Sequence, residues 1–252
     1  MKFENTEVWG FEHAIRGMRN PLESWNKSDS GCKLYCSVEG VCVEKPCSYD
    51  NCNGCTTTEY IIGKNDLELM QKLIKAGSEH RKFLRQIFVS VDITAPLYWW
   101  KEFDTYKIGT VSNSCSTMHK LANTPITKEC FEMGDFEDMS PRMFKCKDEY
   151  GDTYEENNLC NFISLDLFWC HLIDVLNDYR VHYNETKDKR YWKELIRLLP
   201  ESWLQKRTIT MNYENILNMY RQRKNHKLTE WSKSFCDWIK TLPYAEELIC
   251  LE

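Results

Sequence analysis

The chain has 252 residues, of which 42% are hydrophobic and 28% charged, with a formal net charge of −5. That length supports one sizeable core, and the acidic balance argues against a general nucleic-acid binder, which is usually basic. No apolar stretch reaches the length needed to span a bilayer and the N-terminal MKFENTEVWGFEH lacks a signal-peptide core, so a cytoplasmic location with mostly reduced cysteines is expected.

Residues 2–10 (KFENTEVWG) alternate as a strand, with Phe3, Val8 and Trp9 as its apolar members. The following HAIRGMRNPLESW places His13, Arg16 and Arg19 within two helical turns before Pro21. Two arginines three residues apart suit either a bound anion or an ordinary charged surface. Residues 31–60 then hold Cys32, Cys36, Cys42, Cys47, Cys52 and Cys55, six of the 13 cysteines, in a stretch too poor in apolar residues to build its own core. Such a stretch needs a staple. In a reducing compartment the expectation is a tetrahedral zinc site, formed by the CxxC pair Cys52 and Cys55 with Cys42 and Cys47 taken from the other four. The irregular spacing leaves free thiols and disulfides as alternatives. Cys115, Cys130, Cys146, Cys160, Cys170, Cys236 and Cys250 are scattered and read as small core residues.

Asn65 caps a helix with Leu67, Leu69, Met70, Leu73 and Ile74 inside and Gly77 as its stop. Residues 80–119 form the central stretch. Ile87, Val89, Val91 and Ile93 fall on one face of a strand that Pro96 ends. Trp99, Trp100, Phe103 and Tyr106 follow, and then Ser112 to His119 gather small polar groups at a helix entrance. This order fits a nucleotide pocket with aromatic walls, or a buried strand followed by an aromatic core segment and a cap. The acidic residues of 124–162 mark an exposed excursion. Ser164 starts a long helix running past Tyr179, with His171 beside its apolar face as a core histidine. ETKDKRYWKELIRLLP holds another helix, ended by Pro200, and Thr208 to Leu242 reads as two more. Few glycines and prolines interrupt the chain, so helix should outweigh strand.

The segment LLPESWLQKRTITMNYENILNMYRQRKNHKLTEW resembles the C-terminal pattern of flavin-dependent thymidylate synthases, the ThyX family. In that family Leu-Pro is followed by Thr-x-Asn-x-Arg, a second Asn, an Arg and a His. Here Leu199-Pro200 precedes Thr210, Asn212, Asn218 and Arg223 at matching spacing, with Glu214 in place of the first Arg and Lys227, just after His226, in place of the His. The family signature RHRxxSxNExSxR, aligned on Asn113, puts its last Ser on Ser116. Its Arg-His-Arg falls on Tyr106, Lys107 and Ile108, its Glu on Ser114 and its closing Arg on Met118. The resemblance spans residues 60–240.

The resemblance implies a helix-rich α/β (α+β) fold, a central twisted sheet flanked by long helices. It would be a single domain over 1–252 carrying the Cys-rich 31–60 as an insertion. It implies FAD contacts at Asn212, Asn218, His80 and Ser116, and contacts to a pyrimidine deoxynucleotide at Arg223, Asn113, Lys107, His119 and Arg85. The implied activity is reductive methyl transfer to a dUMP-like substrate with folate, in a homotetramer. Divergence of this kind suits a phage-encoded protein in the host cytoplasm. Glu214 introduces repulsion where a phosphate-binding guanidinium is expected, which makes a non-catalytic nucleotide-binding protein the alternative.

Overall fold

The computed structural model describes residues 1–36, 41–43, 55–134, 136–140, 142–145 and 162–251. The first half runs β1 (Lys2–Trp9), α1 (Phe11–Arg19), β2 (Gly31–Cys36), β3 (Val41–Val43), β4 (Cys55–Ile61), α2 (Lys64–Lys75), β5 (Phe88–Pro96), α3 (Leu97–Phe103), β6 (Val111–Ser114) and α4 (Thr117–Lys120). The second half continues with α5 (Phe136–Met139), β7 (Met143–Lys145), β8 (Phe162–Ser164), α6 (Leu165–Thr186), α7 (Lys189–Leu198), β9 (Leu204–Asn212), α8 (Tyr213–Arg223), α9 (Cys236–Lys240) and α10 (Ala245–Leu248). Among the described residues no helix is long and apolar enough to cross a membrane.

A four-stranded sheet has the order β1-β5-β9-β6. Along β5 the expected alternation holds: Val89, Val91 and Ile93 are fully buried, as is Ile87 just before the strand, while Phe88 faces out. Strand β9 stands where a helix is expected from Thr208. β-branched Thr208, Ile209 and Thr210 favour extended backbone, and the alternation buries Ile209 and Met211. The described residues of the Cys-rich stretch form an antiparallel sheet of order β3-β2-β4, with β2 and β4 in register from Gly31 opposite Ile61 to Cys36 opposite Cys55 and an irregularity between Lys33 and Leu34.

The chain divides into two compact units, one of residues 1–2, 93–105 and 113–207, the other of 3–92, 106–112 and 208–252. In the first, α6 and α7 pack together over a core of Leu121, Ala122, Ile126, Phe131, Leu176 and Leu195. Ser164 caps α6 by accepting the Leu167 N–H. Asn177 holds the 126 segment against α6, accepting from Ile126 N at 2.9 Å and donating to Ile126 O at 2.8 Å. Ile126 and Phe131 are therefore core residues and not part of an exposed excursion. The acidic residues Asp135, Asp148, Glu149, Asp152, Glu155 and Glu156 lie outside the described residues. Trp99, Trp100 and Phe103 are buried as core, and Trp100 Nε1 donates to Gln205 O. His171 is exposed on α6, contrary to expectation. Its spacing from the buried Leu176 turns it roughly 140° around the helix from that core position.

The second unit packs α1, the 3-10 turn Lys82–Gln86 and α8 together through Phe11, Ala14, Ile15, Phe83, Leu84, Tyr213, Ile216 and Leu217. Gly10 opens α1 at φ 99°, and a Cβ there would sit 2.0 Å from Gln86 O, so only glycine fits. Helix α2 starts two residues earlier than a cap at Asn65 would have it, with Gly63 at the cap position, because its first amides are capped from a distance: Asp29 accepts from Asn65 N at 2.9 Å and Asp66 N at 3.1 Å. Arg19 is no anion site. Its Nε donates to buried Asp66 at 2.6 Å, and its other nitrogens hold the Ser24 and Lys27 carbonyls. Cys236 is buried, and burial pushes its thiol up to about 11, whereas Cys115 is exposed and no core residue.

Candidate functional site

Helix α8 carries most of the polar groups of interest, and its start is built locally. Asn212 accepts the Asn215 N–H at 3.0 Å, and the Asn215 side chain accepts from Asn212 N, a reciprocal cap that satisfies two amides of the first turn. Asn215 Nδ2 also donates to Ile108 O at 2.7 Å, tying the 106–110 loop to the helix. That loop passes so close that a Cβ on Gly109 (φ 78°) would lie 2.8 Å from Asn215 Oδ1 and 3.0 Å from Asn212 Nδ2. Asn212→Ala should cost about 1 kcal/mol in chemical denaturation, the usual effect of losing an N-cap. A cost indistinguishable from zero would mean that the cap holds nothing.

The next residues of α8 meet the 79–86 segment. Glu214, only 8% exposed, accepts from Arg81 Nε at 3.3 Å and from Arg85 Nε, while Arg81 donates to Asn218 Oδ1 at 3.0 Å. Glu214 and Asn218 are four residues apart and share one helical face, so a single guanidinium reaches both. The expected repulsion at Glu214 is thereby corrected: its charge is balanced by two arginines from another segment. Asn218 and Arg85, read in the sequence as ligand contacts, are both engaged in this network.

At the end of α8, Arg223 packs against two neighbouring rings. Its guanidinium is 5.4 Å from the Tyr106 ring centre and 5.0 Å from that of Trp231, and its Nε donates to Tyr106 Oη at 2.8 Å. Tyr106 in turn donates to Gln222 Oε1 at 2.9 Å. Trp231 is fully buried in a π-helical turn, Glu230–Phe235, that precedes α9.

On the other side of the 79–86 segment is a cleft of about 490 Å³. Met18, Leu69, Leu73 and Phe83 supply its apolar walls, and Asn20, Ser24, Glu79, His80, Lys82 and Gln86 its polar groups. Its volume lies within the range of small-molecule sites. The segment is thus two-sided, with His80 and Lys82 turned to the cleft and Arg81 and Arg85 to α8.

The remaining expected site residues are more dispersed. Lys107 is exposed on the loop beside Tyr106. Asn113 is exposed at the end of β6, Ser116 half-buried before α4, and His119 is on α4; these three belong to the other compact unit. Of the expected zinc ligands, Cys47 and Cys52 lie outside the described residues, while Cys42 and Cys55 are placed on β3 and β4. Among the described residues no three metal-ligating side chains gather. Sequence reasoning missed Asn215, Gln222 and Trp231 as site residues. The Asn-x-x-Asn spacing could have revealed the first, but nothing local links Tyr106 to Trp231 across the chain.

No protein-family model matches the sequence, and no curated protein matches it. Among solved structures, the flavin-dependent thymidylate synthase ThyX from Helicobacter pylori, complexed with FAD and dUMP, matches with a TM-score of 0.60 at 15% identity, covering 100% of both chains. The chain has the ThyX fold. A second structure of the H. pylori ThyX with FAD and dUMP gives a TM-score of 0.59 at 14% identity, covering 99% of this chain and 97% of that one. The ThyX likeness extends over the whole length of the chain, beyond the residues 60–240 where the sequence carried it, and includes the helix-rich architecture with a central sheet.

Proposed function

We propose that this protein is a ThyX-like flavoprotein acting on a pyrimidine deoxynucleotide, methylating a dUMP-like substrate reductively with a folate as carbon donor. The observation that carries this reading is the two-sided 79–86 segment, with a cleft on one flank and an arginine network on the other that engages the helix capped by Asn212 and bearing Asn218 and Arg223. The same fold holding FAD and dUMP in the H. pylori enzyme supports it. The cleft suits a flavin: Met18, Leu73 and Phe83 would flank a planar ring, Lys82 would meet a phosphate, and His80, Gln86 and Asn20 would hydrogen-bond its edges. A bound flavin would supply the hydride. The chain's own groups would bind and orient the nucleotide, with Arg223 at its phosphate.

The visible spectrum of the purified protein, with mass spectrometry of what heat releases, tests this. A flavin band near stoichiometric occupancy is expected, and a protein that stays colourless after incubation with FAD overturns the reading. The position of Tyr106, Lys107 and Ile108 where the resemblance has Arg-His-Arg, with Ile108 90% exposed, favours a second reading, a nucleotide-binding protein without turnover. Binding of dUMP with no product in the presence of methylene-folate and reductant would establish that one. A homotetramer is part of the proposal, supported by Leu167, Phe168, Val175 and Val181 standing 39–47% exposed on α6, and light scattering reads it directly. Zinc at Cys42, Cys47, Cys52 and Cys55 is proposed separately and is measured by metal analysis of the purified chain.

A further inference from the structure

The seating of Arg223 calls for more than a surface cation needs. Its guanidinium packs beside both the Tyr106 and Trp231 rings, at 5.4 Å and 5.0 Å from their centres, and the two rings are themselves neighbours 6.3 Å apart. Its Nε–H is directed onto a phenol oxygen whose own hydrogen is committed to Gln222, so the oxygen's lone pair is oriented toward the arginine. Rotation about the last bonds of Arg223, ordinarily a large part of its side-chain entropy, is thereby restricted. A second feature points to the same place. Trp231 is delivered by a π-helical turn, a local departure from α-helix that costs regular hydrogen bonding and is frequent at functional sites.

We propose that Tyr106 is a positioning residue for nucleotide phosphate, its hydroxyl anchoring the Arg223 Nε–H while its ring and that of Trp231 back the guanidinium in the orientation that receives the phosphate. This inference rests on the nucleotide-binding reading above. The clamp replaces in this chain what a cationic signature would do: where the resemblance has charged side chains, an aromatic one holds the charge contributed by α8.

Calorimetric titration of the full-length flavin-loaded protein with dUMP and with deoxyuridine separates the two ideas. Wild type should bind dUMP more tightly than deoxyuridine. Tyr106→Phe keeps the ring and removes the hydroxyl. It should weaken dUMP about tenfold, the effect of losing a hydrogen bond to a charged group, and deoxyuridine by less than twofold, with flavin absorbance unchanged. Gln222→Ala, at an exposed position, removes only the partner that orients the phenol and should weaken dUMP in the same direction by a smaller factor; it decides the matter if Tyr106→Phe does not fold. Equal weakening of both ligands, or none, overturns the clamp. Failure of wild type to bind either ligand overturns the nucleotide reading itself.

Discussion

Asp66→Ala should destabilise the unit containing α1 and α2 by roughly 3–5 kcal/mol, because it strands the buried Arg19 guanidinium without its counter-charge. Asp66 is fully buried, and its two oxygens serve Arg19 Nε, Ser28 Oγ and Ser30 Oγ, each at 2.6 Å, together with the amides of Asp29 and Ser30. Arg19 spends its remaining nitrogens on the Ser24 and Lys27 carbonyls. One ion pair therefore fixes the whole 24–30 segment, including Ser24 in the wall of the cleft beside the 79–86 segment. If the cleft holds a flavin as proposed, loss of the pair should also lower its occupancy at temperatures where the variant remains folded. Asp66→Asn keeps the shape and part of the bonding, and should cost about half as much. A denaturation midpoint within error of wild type for Asp66→Ala would mean that the knot is a consequence of the fold and not a support of it.

The same carboxylate predicts a pH dependence. Burial alone would raise its pKa, but hydrogen bonds from Ser28, Ser30 and Arg19, with the Arg19 charge, outweigh burial and hold it below the ordinary value of 3.8. A group whose folded pKa is depressed contributes stability that is present above its unfolded value and is lost as pH falls through the folded one. The knot's contribution should therefore be intact at neutral pH and decline below about 3.8. In Asp66→Asn that part of the acid dependence should vanish, which a pair of denaturation series at neutral and acid pH would read.

Glu214→Arg is expected to have the other large effect. It would place a third guanidinium against Arg81 and Arg85 at a position 8% exposed, turning two attractions into two repulsions in a poorly solvated place. A loss of about 3–5 kcal/mol follows from the cost of uncompensated buried charge. Arg81→Glu in the Glu214→Arg background restores one pair with its direction exchanged, and should recover roughly half of the loss if the interaction is pairwise. Recovery is the informative result, since a structural insult unrelated to charge would be made worse by a second substitution. The pair bears on the proposed function because it ties the cleft-lining 79–86 segment to the helix bearing Asn218 and Arg223. Under the proposed function, the double variant should regain flavin and nucleotide binding together with stability.

The contrast between Glu214 and its surroundings shows how far local reasoning reaches. Glu214 stands in a spacing that resembles a nucleotide-binding pattern, and taken alone it is a charge of the wrong sign. Arg81 and Arg85, 133 and 129 residues away, supply the balancing charge, and no local pattern could have announced the partnership. The same holds for Arg19, whose spacing from Arg16 suggests an anion site until Asp66 is found buried against it.

What the amino-acid sequence determined by itself is what depends on near neighbours. The alternation of Ile87, Val89, Val91 and Ile93 specifies a strand with one buried face, because the side-chain period of two is a property of the extended backbone. Ser164 starts α6, Pro200 follows the end of α7, and Asn212 with Asn215 caps α8, each through bonds within a few residues. The spacing of Asn212, Asn218 and Arg223, after Leu199-Pro200 and Thr210, carried the ThyX resemblance, because a short helix and its cap keep their residues' separation whatever the rest of the chain does. Only the tertiary structure decided which charges are balanced and which rings meet. Tyr106 and Trp231 come together around Arg223, and Asp29 caps a helix 36 residues away. Those choices are made by packing between distant segments, where burial strengthens a paired charge and makes an unpaired one costly.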